Sequence, residues 1–95
     1  MVTGGENNLA KGLYSVVSGG QTNKAYGNVS VVSAGYQNTA KGDGSVVSGG
    51  FVNEASGIGS LVAGGSNNVA SNTYSAILAG NYNRAEHDKA TIQGG

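Results

Sequence analysis

The chain has 95 residues, enough for one domain spanning 1–95, and its five basic and five acidic side chains leave a net charge near zero. That balance excludes the basic stripe that nucleic acid requires and the polybasic segment that anionic membranes attract. Eighteen glycines stand beside no proline and no cysteine, which excludes collagen, a disulfide framework and a thiolate metal site.

No apolar run approaches the length of a spanning helix, and no signal peptide is visible. One Phe, one Met and no Trp make an ordinary globular core hard to build. What the chain has instead is repetition. The phrase SVVSGG at 15–20 returns at 45–50, with SVVSAG at 30–35 between them. Cutting before each GG or AG yields six units of fifteen residues without insertion. Repeats of this kind are the signature of stacked architectures.

The first predicted coil, 4–18 (GGENNLAKGLYSVVS), sets the pattern. It divides into two near-halves, xxNxAxG and xxSxVxxG. Each holds a short run of period-two alternation, the strand signal, followed by a glycine-marked corner. Coils 19–33, 34–48 and 49–63 keep the frame, as does 64–78, where Asn72 replaces the glycine of the ninth position. Coil 79–93 departs from it at His87, Ala90 and Gln93 and is read as a partial cap, and a final GG begins a seventh unit. Positions 2, 5 and 7 of every unit are Gly, Asn and Ala, and position 14 is Val or Ile throughout. No segment shows a 3.6-residue pattern. The expectation is an all-β parallel β-solenoid with two short strands per coil, about 29 Å tall at the usual strand spacing of about 4.8 Å.

The near-invariant small positions belong inside, where each coil must fit the next. The column Asn8, Asn23, Asn38, Asn53, Asn68 and Asn83 is expected to bond along the stack and to corner backbone, because buried amides need partners. Outward residues of the first strand include Lys24, Tyr26, Lys41, Glu54, Arg84 and Glu86, a solvated face. The second strand presents Val16, Val31, Val46, Leu61 and Ala76, with Ser18, Ser33 and Ser48 beside them and no charge at all. A flat uncharged strip on so thin a core predicts an interface.

Here the sequence resembles the head repeat of YadA-type trimeric autotransporter adhesins and related phage and viral fibre repeats. S-V-V-S-G-G and N-x-A-x-G take the places of that family's two strands over residues 4–93. The fifteen-residue coil carries one extra residue after the serine strand. The resemblance implies a left-handed β-roll packed as a homotrimer, with Val16, Val31, Val46, Leu61 and Ala76 lining the shared core. It also implies an extracellular, cell-surface or virion location, a host-surface protein or glycan as partner, and no membrane insertion by this segment. The spacing is also similar to grass-type ice-binding proteins, which are monomeric. That family's outward array is rich in Thr, whereas the strip here carries only Thr91.

No enzyme constellation or cofactor motif is legible. His87, the only histidine, occupies a degenerate corner position without a partner. The serines have no paired base. Asp43, Glu54, Glu86 and Asp88 are scattered over outer positions, where solubility accounts for them. KGDGS at 41–45 resembles calcium-binding repeats but lacks their nine-residue period. Asn28-Val29-Ser30 fits a glycosylation sequon, yet Ser30 is expected to point inward. Tyr14, Tyr36, Phe51, Tyr74 and Tyr82 all fall in corners. They would either cover those corners or contact carbohydrate or protein.

Overall fold

A computed structural model describes residues 1–94. Gly95, the last residue of the expected domain and the second glycine of the trailing pair, lies outside the described residues. The chain winds into six coils, each with two two-residue strands and no helix. The first strand of each coil is β1 (Leu9–Ala10), β3 (Lys24–Ala25), β5 (Thr39–Ala40), β7 (Glu54–Ala55), β9 (Val69–Ala70) or β11 (Arg84–Ala85). The second is β2 (Val16–Val17), β4 (Val31–Val32), β6 (Val46–Val47), β8 (Leu61–Val62), β10 (Ala76–Ile77) or β12 (Thr91–Ile92). Odd strands form one six-stranded parallel sheet and even strands the other. Residues fifteen apart stand opposite one another, as Val31 does to Val46 and Ala25 to Ala40. The longest dimension is 31 Å and the thinnest 12 Å.

The thinness follows from the residues that meet between the sheets. A column of alanines, Ala25, Ala40, Ala55, Ala70 and Ala85, faces a column made of Val17, Val32, Val47, Val62 and Ile77. All ten are fully buried. One small and one medium side chain per coil leave no void to fill and no room for more.

The corners hold features that glycine spacing alone does not announce. Position 2 of every unit is a glycine with positive φ. So is position 4 left-handed, where the residues are Asn7, Thr22, Gln37, Val52, Asn67 and Tyr82, with φ between 52 and 57°. Position 11 repeats the conformation at Tyr14, Val29, Gly44, Gly59, Tyr74 and Lys89. Ten non-glycine residues therefore sit in the left-handed region, each at a cost of about 1–2 kcal/mol.

The ladders show what that cost secures. Glu6, Gln21, Tyr36, Phe51, Ser66 and Asn81 at position 3 form a third parallel ladder of single bridges. Their amides donate forward, as Gln21 N to Gly35 O at 2.9 Å, while the left-handed residue that follows donates backward, as Thr22 N to Glu6 O at 2.9 Å. The other corner does the same, with Val29 N donating to Leu13 O at 2.7 Å. In coils two to six the left-handed residues at positions 4 and 11 thus turn the chain while keeping their amides in the stack, which satisfies a backbone that would otherwise lose its partners.

Candidate functional site

Each asparagine of the inner column completes the turn that precedes it. In a parallel ladder successive amides point alternately up and down the stack. The left-handed residue at position 4 breaks that alternation, so the amide of position 5 also points back, towards a place without a carbonyl. The side chain of the preceding asparagine supplies the acceptor: Asn38 N donates to Asn23 Oδ1 and Asn53 N to Asn38 Oδ1, both at 2.9 Å. The same amide group's Nδ2 ties two corner carbonyls together. Asn38 Nδ2 donates to Ala34 O of its own coil at 3.1 Å and to Gly50 O of the next at 3.0 Å. Asn8, Asn23, Asn53 and Asn68 repeat both bonds, and Asn83 donates to Ala79 O at 3.2 Å.

The inward serines act at the second corner. Ser30 Oγ donates to Gly27 O at 2.6 Å, and Ser15, Ser60 and Ser75 make the equivalent bond at 2.7 Å. Ser45 Oγ is buried without a hydrogen-bond partner among the described residues. A buried hydroxyl that donates to a backbone carbonyl has no base to activate it. Ser30 of the sequon is among these buried serines and points inward, while Asn28 is exposed.

The second sheet presents the uncharged strip to solvent. Val16, Val31, Val46, Leu61 and Ala76 are neighbours along one ladder, each half-buried by its own chain. Thr91 closes the row and is exposed. The apolar surface does not stop at the sheet. Just before the second strand, the corner carries Leu13, Tyr14, Val29, Ile58 and Tyr74 at 69, 86, 58, 56 and 61% exposure. Sequence reasoning singled out the two tyrosines but not Leu13, Val29 or Ile58. Their columns also hold Asn28, Asp43 and Gly44, so no periodic signal marks them.

The remaining aromatics divide between the other corner and the first sheet. Tyr36 and Phe51 stack with ring centroids 5.2 Å apart and planes 12° from parallel. Tyr82 is exposed and borders a shallow groove of about 370 Å³ shared with Glu54 and Arg84. Tyr74 lies over Gly59, where an added Cβ would come within 2.7 Å of its ring. Tyr26, on the first sheet, receives the Lys11 ammonium 5.8 Å from its ring centroid.

Among the described residues, no group of three His, Cys, Asp or Glu side chains converges into a metal site. His87 is exposed at its corner. Asp43 is engaged structurally, its Oδ1 accepting the Asn28 amide at 3.0 Å, and Asn28 Oδ1 in turn accepts the Leu13 amide at 3.0 Å. The one ion pair among the described residues joins Arg84 to Glu86 at 3.4 Å, both well exposed. No protein-family model matches the chain, and no curated protein matches it significantly.

Proposed function

We propose that this chain is a non-enzymatic structural and adhesive module: a left-handed roll that assembles as a homotrimer in the head or shaft of a surface adhesin or a phage or viral fibre. The observation that supports this reading is the uncharged strip from Val16 to Ala76, beside a corner where Leu13, Val29 and Ile58 are exposed among Asn28 and Asp43. Contiguous exposed apolar surface on a soluble protein marks an interaction site. A stack with one Ala and one Val or Ile per coil in its core gains stability by covering that surface with further copies. The setting is extracellular, and the surface left free in such an assembly would meet a host-surface protein or glycan.

The test is molar mass in solution. Light scattering is expected to give three times the 9.3 kDa chain mass. Val31→Asp with Val46→Asp, which places two charges in the strip, is expected to dissociate or unfold the assembly. A native chain that stays folded and monomeric overturns the trimer.

A second reading rests on the same sheet. Its first three coils hold regular outward rows of Val and Ser, which a monomer would offer to ice. Thermal hysteresis at micromolar concentration would support that reading, and unshaped ice growth would remove it. A weaker alternative places carbohydrate on the corners, at the Tyr36–Phe51 stack and Tyr82, and is read on a glycan array.

A further inference from the structure

The opposite sheet carries a feature of a different kind. Three of the five basic residues lie on its outer face within the first three coils. Lys11, Tyr26 and Lys41 occupy one position in successive coils, in register with the ladders β1–β3–β5. The two lysines are therefore about 10 Å apart at the backbone, with the tyrosine between them. Lys24 lies two residues from Tyr26 on the same face. The Lys11 ammonium stands 5.8 Å from the ring centroid, so the aromatic face helps to hold it in place. Lys11, Lys41, Tyr26, Leu13 and Asn28 line an open depression of about 480 Å³.

None of the three lysines is in an ion pair, since the only one among the described residues is Arg84–Glu86. The nearest acid along the chain from Lys41 is Asp43, and it accepts the Asn28 amide. Asp43 keeps its charge in that bond, so three lysines stand against one carboxylate, a local excess of two positive charges on a partly apolar floor.

From this arrangement we infer that the first sheet of coils 1–3 binds a sulfated saccharide. The sign of the ligand follows from charge complementarity. The oxyanion type follows from the side chains. The patch contains only Lys, a compact point charge that pairs with tetrahedral sulfate and phosphate alike, and comparison with an oligonucleotide separates the two. The saccharide follows from the floor, where Leu13 and the lysine stems give a pyranose an apolar bed between two cations, one of them held in place over the Tyr26 ring. Three lysines are fewer than the four to eight that draw a segment to an anionic membrane, and beyond coil 3 the sheet carries Glu54 and the paired Arg84 and Glu86 rather than a continuing basic stripe. This inference names a ligand class for the adhesive reading and rests on it only for its setting. The site lies on the first sheet and shares only the corner residue Leu13 with the surface assigned to the trimer, so molar mass reports trimer formation while the lysine variants report glycan binding.

The experiment titrates the native chain with a sulfated heparin tetrasaccharide and with its desulfated counterpart, by calorimetry or amide chemical shifts. The sulfated sugar is expected to bind, more weakly as salt rises. Lys11→Gln with Lys41→Gln is expected to weaken it by about tenfold or more, in line with the loss of two charge-assisted contacts. Tyr26→Ala is expected to weaken it several-fold, and Lys89→Gln, on a distant corner, to leave it unchanged. Unaltered melting and molar mass in the lysine variants assign the loss to the site. The inference is overturned by no binding at millimolar sugar, by undiminished affinity in the lysine double variant, by equal affinity for the desulfated sugar, or by equal affinity for a single-stranded oligonucleotide of the same charge.

Discussion

Truncating Asn38 to alanine removes three hydrogen bonds at once from the middle of the stack. The bond from Nδ2 to Ala34 O, on an exposed residue, can be replaced by water. Gly50 O keeps the Tyr36 amide at 3.0 Å and loses only its second donor. The Asn53 amide is different: it is buried, points at the space Oδ1 occupied, and has no carbonyl within reach. Two replaceable bonds at about 1 kcal/mol each, plus about 1–3 kcal/mol for a buried unsatisfied donor, give a loss of about 4 kcal/mol. A domain of this size melts roughly 4–8 °C lower per kcal/mol, so the midpoint should fall by roughly 15–30 °C. Asn8→Ala is the internal control. Asn8 makes the same bonds to Gly4 O, Gly20 O and the Asn23 amide; Asn23 is itself buried, but Asn8 is half-exposed on the end coil, so water can enter the space its Oδ1 vacates. Its expected loss is about 1–2 kcal/mol. Urea denaturation followed by circular dichroism, at one protein concentration, measures both. Equal losses at the two sites, or a loss below about 1 kcal/mol at Asn38, would falsify the account of the asparagine as a substitute for a missing backbone acceptor.

In coils one to four glycine at position 9 is required by contact rather than by φ, whereas Asn72 and His87 hold the position in the last two coils. In Gly42→Ala the added Cβ would lie 2.2 Å from Gly57 O, and the variant should lose about 3 kcal/mol or fail to fold. Gly49→Ala, whose nearest contact is Ala34 O at 3.9 Å and whose column already holds Ala34 and Ala79, should melt within a few degrees of the parent. Thr22→Asn replaces a β-branched residue at φ 56° with the type found at the same place in coils one and five, as Asn7 and Asn67. It should raise stability by about 0.5–1 kcal/mol in the same denaturation assay, and a loss there would refute the strain assigned to that position.

The fifteen-residue period, the two strands per coil and the inward set of Asn, Ala, Ser and Val were legible because stacking imposes one environment on every copy of a position. Val32 and Val47 each have a valine above and below, and Val62 stands between Val47 and Ile77, so each is held to nearly the same size. The hydrogen-bond traffic at the corners was not legible. Val29, Val52 and Thr22 adopt the left-handed conformation against their own preference, because the amides behind them are held by the adjacent coils. Nothing local marks those residues as turn formers, and the third ladder at position 3 escapes for the same reason, since Glu6, Gln21, Phe51 and Ser66 share no side-chain chemistry. Surface features escaped in the opposite way. Leu13, Val29 and Ile58, or Lys11, Tyr26 and Lys41, are scattered single letters in the chain and become a ridge and a patch only when coils about 5 Å apart bring them side by side. A periodic environment writes itself into the sequence as a period, whereas a site assembled from unlike residues of successive coils exists only once they are stacked.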